Sequence, residues 1–92
     1  EMKQIRKWEL DPKETQKLEV PVGTIFLSAG EQFDSIMVWG LVDPRIEAVE
    51  IRTIEVYGTG HPIDSRLPEV GKFLGRANLS GGRFIFHVFS DY

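Results

Sequence analysis

Residues 51–62, IRTIEVYGTGHP, carry a period-two apolar pattern straight into a turn that holds two glycines, a histidine and a proline. Side chains alternate along a strand, so Ile54 and Val56 share one face while Thr53, Glu55 and Tyr57 share the other. That is a half-buried strand, and a chain organised around it must supply further strands to pair with it. Ile51 has the opposite parity, which predicts a bulge near Arg52 that restores the apolar face. Gly58 and Gly60 are expected at positive φ, where a β-branched residue costs on the order of 1 kcal/mol or more, so valine at either position should lower stability. Pro62 biases His61 toward an extended conformation.

The flanking segments repeat the same grammar. Residues 2–10 set Trp8 and Leu10 against Lys7 and Glu9, with Ile5 out of phase. Residues 15–20 set Leu18 and Val20 inward against Lys17 and Glu19, and Pro21 marks an edge strand. In residues 24–29, Ile25 and Leu27 share a face. Residues 36–42 and 83–89 are apolar on both parities, which predicts interior strands covered on both sides; Gly40 leaves room within the first for an opposing aromatic. Residues 45–50 read as a polar connection with space for one helical turn, residues 64–69 as a turn-rich loop, residues 70–79 as a weaker strand. Ser80, Gly81 and Gly82 form a hairpin signal. No segment sustains a helical period. The fold expected is all-β, a small antiparallel sandwich or open barrel of about seven short strands, in a single domain over residues 2–92. Glu1 precedes the only candidate initiator, Met2, and is set aside.

The chain has no cysteine, which removes disulfides and cysteine-ligated zinc and points to a reducing compartment. A net charge of −3 argues against general affinity for nucleic acid. No apolar run approaches the roughly 20 residues that span a bilayer, and no apolar leader is present, so a soluble, non-exported protein is expected. Gly58, Thr59 and Gly60 resemble the start of a dinucleotide fingerprint, but position 63 is Ile and no helix pattern follows, so the phosphate-binding mechanism is missing. His61 and His87 are the only histidines; His87, within an apolar strand, reads as a semi-buried residue with one satisfied ring nitrogen, and His61 as a loop residue open to a functional role. Carboxylates are scattered singly among cations and the serines lie at turns and strand ends, so no acid/base pair or nucleophile elbow is present. No catalytic residue, metal site or cofactor is assigned. Aromatics exceed what alternation places on one inner face, and exposed aromatics on a small β-protein mark a partner surface.

The segments MKQIRKWEL, VPVGTIFLSAGEQ, MVWGLVDP, IEVYGTGHPI and GGRFIFHVF together resemble a family of small, mostly uncharacterised proteins of tailed bacteriophages and prophages, with YGTGHP and FHVF the most specific parts. The resemblance implies an accessory protein acting in the host bacterial cytoplasm, and it carries no catalytic assignment. Three readings follow. In the first, the chain is a non-enzymatic binder of a host protein, such as an inhibitor of a defence effector, with Tyr57 and Phe33 as aromatic anchors. In the second, Tyr57, Thr59, His61 and Arg66 line a site where glycine amides of residues 58–62 receive an anionic small molecule such as a nucleotide. The third is a virion or assembly component that self-associates through an edge strand.

Overall fold

In the computed structural model, which describes residues 2–63 and 71–91, the chain forms seven strands. They are β1 (Gln4–Leu10), β2 (Thr15–Pro21), β3 (Ile25–Gln32), β4 (Ser35–Val42), β5 (Val49–Gly58), β6 (Lys72–Leu79) and β7 (Phe84–Ser90). They build two antiparallel sheets, a three-stranded one in the order β1-β4-β3 and a four-stranded one in the order β2-β5-β7-β6, packed as a small sandwich. The two stretches that are apolar on both parities become β4 and β7, each inside its sheet. β2, with Pro21 at its end, is an edge strand. The expected loop at residues 64–69 lies outside the described residues, and the connection from β4 to β5 contains a turn, closed by the Ile46 N–H to the Asp43 carbonyl at 3.1 Å, with no helix.

Every strand contributes to one core: Leu10, Val20, Phe26, Ile36 and Val38, Ile54 and Val56, Leu74 and Ala77, and Val88. Each of these side chains larger than that of Ala77 supplies roughly 1.5–3 kcal/mol by leaving water. Trp8 closes the core at β1, meeting the Phe26 ring edge-on at 6.0 Å and filling the space over Gly40, where a Cβ would lie 3.0 Å from the indole.

Two expectations of parity fail for one reason: a side chain's apolarity does not say which layer lies opposite it. Phe26 is the buried residue of β3, while Ile25 and Leu27 face solvent. In β5 the pairing with β2 runs without a bulge, because Ile51 points outward and Arg52 points inward, its charge met by Asp91. The bulges fall elsewhere, at Leu27 of β3 and Leu74 of β6.

The sheets close along β3 and β6. Gly75, at φ +148, sits against the backbone of Ala29; a Cβ there would fall on the Ala29 carbonyl oxygen, with the carbonyl carbon at 3.2 Å and the nitrogen at 3.3 Å. Side chains stitch the same seam: Glu31 Oε1 accepts the Asn78 N–H, Asp34 Oδ1 accepts the Ser80 N–H at 2.7 Å, and Lys72 Nζ donates to the Phe26 carbonyl at 3.0 Å.

At the turn after β4, Arg45 donates from its backbone N–H and its Nε to Asp43 Oδ1, both at 3.0 Å, and from Nη2 to Oδ2 at 2.7 Å. These hydrogen bonds hold the Asp43 carboxyl well below its ordinary value of 3.8. A depressed carboxylate stabilises the fold above the unfolded-state value and loses that contribution as pH falls through its folded value. Replacing Asp43 by Asn should therefore lower the melting temperature at neutral pH, and the gap to the parent should narrow below about pH 4; a gap independent of pH would remove this role.

Gly75→Ala should cost about 3 kcal/mol or more in urea denaturation, since rigid backbone blocks the new methyl and the φ is unfavourable. Gly23, at φ +85 with nothing within 4 Å of a Cβ, provides the control. Gly23→Ala should lose only about 1 kcal/mol.

Candidate functional site

Register brings the two most specific sequence motifs side by side, with Tyr57 opposite His87 and Gly58 opposite Phe86. Past the end of β5 the Thr59 N–H donates to the Ile85 carbonyl at 3.1 Å, and the Thr59 hydroxyl lies 2.8 Å from His87 Nε2. His87 is half-buried with that ring nitrogen satisfied. The His61 N–H then donates to the Gly58 carbonyl at 3.0 Å, closing a four-residue turn whose third residue, Gly60, has φ +88.

Gly60 thus has the expected positive φ, and Gly58 does not. Gly58 is needed for another reason: the His61 ring occupies the space of its missing side chain, with Nδ1 and Cε1 each 2.8 Å from where a Cβ would stand. That space lies on the Ile54 and Val56 side of β5, whereas His87 lies on the Tyr57 side, so the two histidines are on opposite faces of the strand. Among the described residues no three His, Asp or Glu side chains gather as a metal-ligand set. Thr59, His61 and Arg83 border a cavity of about 230 Å³ that Phe84 and Phe86 line on the β7 side.

The two aromatics expected at a partner surface separate. Tyr57 is buried at 8% exposure, its ring edge-on to Phe89 at 6.4 Å and its hydroxyl donating to Glu55 Oε2 at 2.6 Å, so it is a packing residue and not an exposed anchor. Phe33 is 86% exposed. It occupies the first position of the two-residue turn between β3 and β4, and both Phe33 (φ 52) and Asp34 (φ 56) take the left-handed conformation that a type I′ hairpin demands. Asn and Gly suit such a turn; a bulky aromatic there is unusual. Lys7 lies over the Phe33 ring at 5.6 Å and its ammonium donates to Gln32 Oε1. Arg66 lies outside the described residues.

Beside Phe33 is the outward face of the three-stranded sheet. Its central strand, β4, presents Met37, Trp39 and Leu41 there, and register aligns Ile5, Leu41 and Ile25 in one row across all three strands. Ile5 is 65% and Ile25 54% exposed, and Leu27, the extra residue of the β3 bulge, is exposed as well. The coverage on both sides that the pattern of β4 predicts is complete on the inner side and partial on the outer one, where Met37 is 7% exposed and Trp39 and Leu41 are half-buried.

The comparisons with known proteins add one result. Residues 2–92 match the family described as a domain of unknown function, DUF7352. The chain belongs to that family. No curated protein and no solved structure matches it. Among the described residues no helix is long and apolar enough to cross a membrane.

Sequence reasoning missed the inward-facing Arg52 and its bond to Asp91. The signal in the sequence is Arg52 itself, which shares the parity of the inward-facing Ile54 and Val56.

Gly58→Ala should push the exposed His61 ring away, shifting its ring proton resonances, while costing less than about 1 kcal/mol because only a mobile side chain must move. Gly60→Val should cost about 1 kcal/mol or more and leave the His61 ring in place. Unchanged His61 resonances in Gly58→Ala would contradict the packing described.

Proposed function

We propose that the chain is a non-catalytic binding module that docks on another protein through the outward face of the three-stranded sheet and the Phe33 hairpin tip. The observation that carries this reading is an outer face bounded at one end by exposed Ile5 and Ile25, which flank Leu41, and at its other end by an exposed aromatic held in a left-handed turn. Water-facing apolar side chains such as Ile5 and Ile25 lower solubility without helping the fold, and a β-carbon at positive φ strains it; both features suit a surface that a partner covers. The resemblance to phage accessory proteins points to a host protein in the bacterial cytoplasm as the partner, with a defence effector as the specific proposal.

A small-molecule reading rests on the cavity at Thr59, His61 and Arg83, which offers a hydroxyl, an imidazole and a guanidinium to an anion. Nucleotide-dependent shifts of the His61 ring, or turnover that depends on His61, would favour it.

The test of the docking reading is to isolate a partner from the bacterial host and measure its affinity for Phe33→Gly and Ile25→Glu. Binding energy at such surfaces is concentrated in a few anchors, so each variant should lose about 2 kcal/mol or more of affinity. Phe33→Gly should at the same time keep or raise the melting temperature, because glycine takes positive φ without strain. Parental affinity in both variants would overturn the reading. A homodimer in the parent that Ile25→Glu dissociates would identify a second copy as the occupant.

A further inference from the structure

At the end of the sandwich opposite the Phe33 and Ser80–Gly82 turns, the two sheets part around a cavity of about 480 Å³. Its wall is charged where the core would otherwise continue. Glu50 and Arg52 lie on the inward parity of β5, below Ile54, and Lys72 of β6 pairs with Ser90 of β7 in the row next to them. Phe26 and Thr24 form the opposite wall.

The four charges divide into two kinds. Arg52 is committed: its Nε donates to Asp91 Oδ1 at 2.8 Å, its Nη1 to the Thr24 carbonyl at 2.9 Å, and its guanidinium lies over the Phe26 ring at 4.9 Å. Asp91 Oδ2 in turn accepts the Thr53 N–H at 2.9 Å. This pair is a neutral strut between the sheets. Lys72 and Glu50 are different. Lys72 Nζ donates to the Phe26 carbonyl, Glu50 Oε2 accepts the Gly23 N–H at 2.9 Å, and neither has an opposite charge within 4.0 Å among the described residues. An ammonium has three donors and a carboxylate about four acceptor sites, so each retains most of its capacity. Both side chains are half-buried, where a charge without a counter-charge is unfavourable.

We propose that this cavity binds a small zwitterion of the α-amino-acid type, its carboxylate on Lys72 and its ammonium on Glu50. A ligand carrying both charges satisfies both residues at once. A simple anion would meet Lys72 but also face the Glu50 carboxylate, and a simple cation would face Lys72. The volume lies within the roughly 300–1,000 Å³ of small-molecule sites, and Ile25 and Ile51 at the rim offer apolar surface to a side chain. The site shares Ile25, at its rim, with the docking surface, which otherwise lies on the outer face of the three-stranded sheet.

The test is an NMR titration of the full chain with free L-amino acids covering each side-chain class, up to about 20 mM, beside the matching acids lacking the amine and amines lacking the carboxylate. At least one amino acid should give saturable shifts at the Thr24, Arg52, Lys72 and Ser90 amides. Its deaminated and decarboxylated analogues should each bind roughly ten-fold or more weakly, as should the amino acid to Glu50→Gln and to Lys72→Met. Glu50→Gln keeps an acceptor for the Gly23 amide, so with a parental melting temperature it decides the matter even where Lys72→Met does not fold. The proposal is overturned by an absence of saturable shifts across the panel, by a deaminated acid binding as tightly as its parent amino acid, or by parental affinity in folded Glu50→Gln.

Discussion

The contact of β3 with β6 at Gly75 and Ala29 is what turns two sheets into one body. Backbone meets backbone there without an intervening side chain, so the edges of the two sheets approach more closely than a Cβ would allow. Edge strands expose amides that invite pairing with other chains. Here carboxylates of the β3 strand and its following turn take two of them, Glu31 at Asn78 and Asp34 at Ser80. The same seam positions both ends of the molecule. Asp34 draws the Phe33 turn toward the Ser80–Gly82 turn, and Lys72, reaching to the Phe26 carbonyl, sets one wall of the charged cavity.

The opposite edges, β1 and β2, are joined by a short connection and lack such a seam. They carry other protection: Lys3, Arg6 and Lys7 in and before β1, Lys17 in β2, and Pro21 at its end. Charged and proline-bearing edges resist unplanned strand addition. The apolar surface of the three-stranded sheet has no comparable protection across its Ile5–Leu41–Ile25 row, which concentrates the sites of association on a face and away from an edge.

The strands were legible because alternation is a local property. β1, β2, β4 and β7 fall within a residue or two of where the apolar pattern and the Gly and Pro boundaries place them, and the two-sided apolarity of β4 and β7 correctly marks interior positions. Burial was less legible, because it depends on what lies across the sandwich. Phe26, and not Ile25 or Leu27, turns inward to meet Trp8 of its own sheet and Arg52 of the facing one; Tyr57 is packed against Phe89 although its parity is outward. Arg52 defeated the reading of β5 because its compensating partner is 39 residues away, at Asp91, and nothing local announces that pair. Gly58 and Gly60 look alike in the sequence yet serve different ends, one yielding space to His61 and the other supplying backbone conformation. The exposure of Phe33 was readable from its polar neighbours, while its left-handed φ required knowing that only two residues join β3 to β4.

The two ends and the open face divide the molecule's unsatisfied chemistry into separate kinds. Apolar surface remains on the outside of the three-stranded sheet, where Ile5 of β1 and Ile25 and Leu27 of β3 are exposed. Charge without a counter-charge remains inside the opposite end, where Glu50 and Lys72 occupy strand positions beside the committed Arg52–Asp91 pair. A sandwich this small has little stability in reserve, so keeping strained or charged residues at positions where apolar or turn-favouring ones would hold the fold better sets a limit on how many such sites it can carry. Their separation matters for the same reason. A partner covering the outer face would press on the outward parity of β4, while a ligand in the cavity would touch the inward parity of β5 and β6; the two forms of occupancy share Ile25 at the cavity's rim and otherwise meet through the core and the Gly75 seam between them.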